Sequence, residues 1–196
     1  MNTRIFTGVI AILLLIVTVS SLSEESMLGL FKKAVDVEVF PEVSGRLTLN
    51  GEAVEGLTLT RGFLYLNAME QGIEDQATTD KNGQFRFPNL TWETKYPNNP
   101  LASQIIAQRI TVDDSNFPDV DGVYLWSTES RGLKHISYFQ ERLLSLNCEL
   151  TESEIIHQII DEAFPDGSVR YEVGSICRWP SLEKVEVEKR KKFGKW

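Results

Sequence analysis

Thr78-Thr79-Asp80-Lys81-Asn82-Gly83-Gln84-Phe85-Arg86-Phe87 is the stretch on which the fold turns. Asp80 is placed to accept backbone N–H groups across a tight turn, and Gly83 to take the positive φ that a bulged hairpin requires. Phe85 and Phe87 are two residues apart, so they share a face, and that face is buried. Upstream, residues 43–50 read VSGRLTLN, with Val43, Leu47 and Leu49 in period two. Asn50-Gly51 marks a second turn, and Leu57-Thr58-Leu59-Thr60 alternates again. Phe63 to Leu66 continues that strand beyond a kink at Gly62.

Downstream the signals are mixed. Lys95 to Pro100 has loop composition, and Ile105 to Val112 reads as a strand. Val123 to Trp126 and Leu143 to Cys148 are further strands, with a short one around His135 to Phe139. Thr151 followed by Glu154 matches a capping box, and Ile155, Ile156, Ile159, Ile160 and Phe164 recur at helical spacing. That spacing predicts one helix over Thr151 to Phe164, ended by Pro165-Asp166-Gly167. Ser168 to Cys177 reads as the last core strand, and Val185 to Glu188 as an edge. Short strands separated by turns, with one short helix, imply a mostly β chain folded as a β-sandwich.

The N-terminus points to a compartment. Arg4 is followed by the uncharged run IFTGVIAILLLIVTV from Ile5 to Val19, then by Ser20, Ser21, Leu22 and Ser23. A charged start, an apolar centre and a small-residue boundary are the parts of a secretory signal. The run falls short of the ~20 residues that span a bilayer, which favours a cleaved peptide. Counting Ser20 to Leu22 brings it near that length, so an uncleaved membrane anchor stays open. The chain divides into this hydrophobic signal or anchor helix at 1–23, a linker at 24–36, the sandwich at 37–188 and a basic tail at 189–196. Cys148 and Cys177 form an even pair in a compartment that oxidises thiols. They read as a disulfide in preference to two buried free thiols or a ligand pair, since no CxxC spacing is present.

Residues 43 to 88 resemble the carboxypeptidase regulatory-like domains, which share the transthyretin-like sandwich. The resemblance rests on Gly45-Arg46-Leu47, on Asn50 to Leu57, and on Thr79 to Phe87. Ala53 stands where that family usually has proline, and Leu57 where a small residue is common. The resemblance implies a fold and no chemistry, because such domains are accessory modules. The whole chain also resembles small exported proteobacterial proteins built on a domain of unknown function. In these a transthyretin-like half precedes a segment with two cysteines, here Asn147-Cys148-Glu149-Leu150 and Ile176-Cys177-Arg178-Trp179. That likeness implies a periplasmic setting.

The candidate chemistry is sparse. A net charge of −8 over 196 residues excludes nucleic acid as a partner, since phosphate neutralisation needs a basic face. The two histidines, His135 and His157, cannot build a His-rich metal centre, and no nucleophile motif, zinc-protease motif or P-loop occurs. The chain ends Phe193-Gly194-Lys195-Trp196, unlike the terminus of transthyretin-fold hydroxyisourate hydrolases. Asp113, Asp114, Asp119 and Asp121 suit calcium by ligand type, yet an EF-hand register would place Phe117 first and Thr128 last, so they read as a solvated turn. Asn89-Leu90-Thr91 is a sequon, accidental in a bacterial host. Trp92, Trp126 and Trp179 read as core or rim aromatics, and Lys189 to Trp196 as a solvated end.

No catalytic, metal-binding or cofactor residue is therefore assigned. The expected function is a non-enzymatic binding or accessory module in the periplasm, tied to the inner membrane if the leader is retained. Its partner is an unidentified protein, with an immunity-type role against an exported toxin as one form. The alternatives are a small metal-assisted hydrolase using the acidic loop, and a carbohydrate-binding sandwich.

Overall fold

The computed structural model describes residues 33–96, 104–159 and 171–179. The leader at 1–23, the end of the helix expected to Phe164, the edge at Val185 to Glu188 and the basic tail lie outside the described residues. The described chain is mostly β, with one short helix. In order it forms β1 (Val35–Phe40), β2 (Val43–Leu49), β3 (Glu52–Ala53), β4 (Thr58–Tyr65), β5 (Ile73–Thr78), β6 (Gln84–Phe87) and β7 (Leu90–Thr94). There follow β8 (Ile105–Val112), β9 (Tyr124–Arg131), α1 (Ser137–Leu143), β10 (Cys148–Glu149), β11 (Ile155–Ile159) and β12 (Tyr171–Ser175).

A six-stranded antiparallel sheet runs β11-β12-β9-β8-β4-β5. A smaller sheet centres on β2, which pairs with β3, β6 and, in parallel, with β10. β1 and β7 form a separate antiparallel ribbon. One core lies between the sheets. Leu59, Phe63, Ile106, Ile110 and Trp126 from the large sheet share it with Val43, Leu47, Phe85 and Phe87 from the small one. α1 closes one end, with Phe139 set edge-on against Trp126 and Tyr171 at 5.1 and 5.2 Å.

The opening turn behaves as its chemistry requires. The Asp80 carboxylate accepts the N–H groups of Asn82 and Gln84 at 2.8 and 2.9 Å, and Gly83 has φ of 73°. Both Phe85 and Phe87 are buried. β2 depends on a different glycine. A Cβ on Gly45 would overlap the carbonyl of Leu146, so the bare backbone lets residues 144–146 lie against the strand. Leu146 N–H donates to the Ser44 carbonyl at 2.9 Å as a result.

The helix expected over Thr151 to Phe164 is overturned: Ile155–Ile159 is strand β11, paired residue by residue with β12. Thr151 caps nothing; its hydroxyl donates to the Glu149 carboxylate at 2.9 Å. The helix lies instead at Ser137–Leu143, across the short strand expected from His135 to Phe139. Phe139 and Leu143, four apart, drive it by turning to the core together. Of the strand expected from Leu143 to Cys148, only its last residue enters a sheet. β4 runs unbroken through Gly62, without the expected kink. β1 begins at Val35, inside the stretch assigned to the linker, because Val35 and Asp36 pair with Thr94 and Glu93.

Candidate binding face

The polar side chains that promise chemistry are mostly committed to holding the fold. The His135 side chain is fully buried and closes a chain of hydrogen bonds. Asn89 donates to Glu38 at 2.9 Å, and the His135 Nδ1–H donates to the same carboxylate at 3.2 Å. His135 Nε2 accepts from Gln108 Nε2 at 2.6 Å, and Gln108 Oε1 accepts from the Trp126 indole at 3.4 Å. Burial holds the imidazole below its ordinary pKa against the pull of Glu38, so the ring is neutral and both nitrogens are occupied. It ties the loop after β9 to β1 and β8 and presents nothing to a substrate. His157 also sits below its ordinary value through burial, and its Nε2–H donates to the Cys177 carbonyl at 2.9 Å.

The acidic loop after β8 is similarly spent. Asp114 accepts from the backbone of Thr58 and Asn116, both at 2.9 Å, and these N–H groups hold it below the usual carboxylate range. Asp121 accepts from Asp114 N–H at 3.0 Å, and Asp113 from the Thr60 hydroxyl at 2.8 Å. The loop is an internally bonded turn, and among the described residues no cluster of three or more His, Cys, Asp or Glu is grouped to hold a metal ion. Trp126 is fully buried, and Trp92 and Trp179 pack against the core.

What remains open is the outer face of the six-stranded sheet. Strand pairing sets Glu74, Gly62, Arg109, Ser127, Gly174 and Ile156 in one row across all six strands. Three of the six, Gly62, Ser127 and Gly174, are small, and Gly62 and Ser127 flank the row's one cation, Arg109. Since Gly62 has no side chain, Arg109 lies across β4 and pairs with Glu74 on β5; a Cβ at Gly62 would stand 3.2 Å from both side chains. The result is a groove of about 870 Å³. Glu129, Arg131 and Glu172 line its sides, and Tyr124, partly exposed, lines one part of it. Both signs of charge face solvent along it, with the exposed Tyr124 and the half-buried Ser127 supplying hydroxyls. Sequence reading missed this face because each of its residues looks like an ordinary outward position until the register aligns them.

A family model described as a domain of unknown function, DUF6795, matches residues 43–153. The chain belongs to that family. No curated protein and no solved structure matches it. The DUF6795 region carries β2 through β10, and so four of the six strands of the large sheet, with Gly62, Arg109 and Ser127 of the groove row. Gly174 and β12 lie beyond it. A covalent bond joins the two parts: Cys148, inside the DUF6795 region, is bridged to Cys177, outside it, with Cα atoms 4.4 Å apart.

Glu149, next to that bridge, fastens β10 to the β2–β3 turn. Its carboxylate accepts from the N–H groups of Asn50 and Gly51 at 2.8 and 2.9 Å and from the hydroxyls of Thr48 and Thr151. Partial burial would raise its pKa, but these donors outweigh it and lower the group from 4.5 to about 2. A carboxyl depressed in the folded state stabilises the protein above its unfolded value and loses that contribution as the pH falls toward the folded one. Stability should therefore decline between pH 4.5 and 2 in the native protein. Urea titrations across that window should show a shallower decline for Glu149→Gln. Parallel curves for the two proteins would show that the donors around Glu149 do not couple to folding.

Proposed function

We propose that this chain is an exported accessory module that binds another protein through the outer groove of its large sheet. The observation that carries this reading is the row Glu74-Gly62-Arg109-Ser127, which floors a charged groove open to solvent, while the histidines are bonded within the fold and Asp113, Asp114 and Asp121 of the acidic loop accept hydrogen bonds from neighbouring groups of the chain. A surface of mixed charge and hydroxyls suits the polar contacts of a protein interface. It gives little purchase for carbohydrate stacking, because Trp92, Trp126 and Trp179 pack in or against the core, and of the aromatics that line the groove among the described residues Phe63 and Tyr171 are buried, which leaves Tyr124 as the exposed one.

Export and a periplasmic setting are supported by the apolar leader and by a disulfide of the kind that persists in oxidising compartments. A transthyretin-like, carboxypeptidase regulatory-like sandwich is supported by the quoted residues themselves. Asn50 and Gly51 both take positive φ at the turn between β2 and β3, and the Asp80 turn leads into β6 beside β2. An immunity-type role, with an exported toxin as the bound protein, is one form of this reading.

The test is affinity capture from a periplasmic extract with the native chain and with Ser127→Arg, which places a large side chain in the groove floor. The native protein should retain one stoichiometric partner, and Ser127→Arg should retain at least ~10-fold less with an unchanged melting temperature. Equal retention by the two proteins would remove the groove from the account.

A further inference from the structure

Among the described residues the β1–β7 ribbon shares no ladder with either sheet, so β1 is tied to the large one by side chains and by the loop after β9. Gln108 on β8 donates through Nε2 to the Val39 carbonyl at 2.6 Å, and the Glu38 N–H donates to the Leu133 carbonyl at 3.1 Å. The Glu38 carboxylate accepts from the His135 backbone at 3.3 Å as well as from its ring. These ties fix where the ring carries its proton. The Val39 carbonyl can only accept and the Trp126 indole can only donate, so Gln108 turns its nitrogen to the first and its oxygen to the second. The same nitrogen meets His135 Nε2, which must therefore be the acceptor, and the one ring proton sits on Nδ1 toward Glu38. A second proton, on Nε2, would set donor against donor. Rotating the Gln108 amide does not relieve this, because its oxygen would then face the Val39 carbonyl and its nitrogen the indole N–H. Both side chains are buried, so solvent supplies no other acceptor.

We propose that His135 is an acid-released latch: a proton on Nε2 parts the ring from Gln108 and lets β1, with β7, come away from the large sheet. The proton is taken from water as the loop opens, and the ring leaves as an imidazolium. Val37, Val39 and Phe40, all fully buried while the latch is shut, are then uncovered. Among the described residues Glu38 is the titratable group that faces the ring; Phe139 of α1, 6.2 Å away between ring centres, carries no charge. Partial burial raises the Glu38 carboxyl, but the His135 and Asn89 donors outweigh it and hold it below its ordinary value. Glu38 therefore stays ionised through the range in which an imidazole titrates. A solvated ring titrates at 6.5, and burial holds the closed one below that against the pull of Glu38. The open form takes its proton first, so closure is unaffected above 6.5 and weakens as the pH falls from there toward the closed ring's own value.

Residue-resolved hydrogen exchange and imidazole nitrogen shifts on the full chain, followed from about pH 7.5 to about 4.5, test this without any partner. With intrinsic exchange rates divided out, protection at Val35–Phe40 should fall by up to ~10-fold per pH unit below 6.5 while that of β8 stays level. His135→Gln, which can still accept from Gln108 and donate to Glu38 but does not titrate, should abolish the fall. Glu38→Gln should move the ring's midpoint lower and deepen the fall, since the closed ring then resists the proton further. A ring that titrates with β1 protection unchanged would overturn the latch, as would a ring still neutral at the acid end with β1 intact. So would an equal fall in His135→Gln, a shallower one in Glu38→Gln, or loss at β8 in step with β1, which marks global unfolding.

Discussion

Asp75→Ala should destabilise the protein by ~3 kcal/mol, more than the loss of its buried partner does. Arg61 sits in the core with its side chain 1% exposed, while Asp75 is 41% exposed. The guanidinium meets Asp75 through Nε at 2.9 Å and Nη2 at 2.5 Å, and donates to the Pro88 carbonyl at 2.6 Å. It also lies over the rings of Phe40 and Phe87, at 5.4 and 4.8 Å from their centres. Removing Asp75 leaves a cation in the core with one carbonyl and two aromatic faces. Arg61→Met instead fills the same space without a charge, strands one carbonyl lone pair, and should cost about 1 kcal/mol. The double variant should then match Arg61→Met within ~0.5 kcal/mol. Chemical unfolding of the three variants decides it: a double variant as unstable as Asp75→Ala would mean that the stranded charge is not the cause.

Removing the disulfide should have an effect of similar size. The bridge closes a separation of 29 residues and links the small sheet, through β10, to the end of β12 in the large one. Constraint of the unfolded chain alone is worth about 3.5 kcal/mol for such a loop. Cys148→Ala/Cys177→Ala should lower the melting temperature by about 10 °C, and reduction of the native protein should do the same. Cys148 and Cys177 are both buried, so Ala leaves small voids that add a little to the cost. Unchanged melting in the double variant, measured beside a non-reducing mass that confirms the native bridge, would sink the argument.

Where structure is set by neighbours in the chain, it was legible. The Asp80 turn, the Asn50-Gly51 turn and β8 over Ile105–Val112 all follow from local chemistry or a clean period of two. Ile155, Ile156, Ile159 and Ile160 satisfy a helical period as well as a run of β-branched residues, and pairing with β12 decides between them. β5 reads IEDQAT, a polar run that is a strand only because β4 is beside it. The groove was hidden for the same reason. Gly62 suggested a kink when read along the chain, yet its role is across the sheet, where it gives Arg109 a path to Glu74. His135 read as the start of a short polar strand, and only the packing of β1 and β8 around it shows a buried, neutral ring.

The parallel pairing of β10 with β2 bears on how the protein reaches its native state. Ser44 and Leu144 meet across 100 positions of chain, whereas β3 joins β2 through a tight hairpin and β6 pairs with it across about 40 positions, as Arg46 with Gln84 and Val43 with Phe87. Shorter loops close faster than longer ones, so β2 should acquire β3 first, β6 next, and keep its other flank unpaired until residues 144–150 arrive. During that interval Gly45 offers a bare strip of backbone, a sticky surface for other nascent molecules. Sulfur oxidation belongs after this docking step, and premature coupling would trap the small sheet incomplete. Refolding yield should consequently depend on when oxidant is added, with late addition giving more native protein.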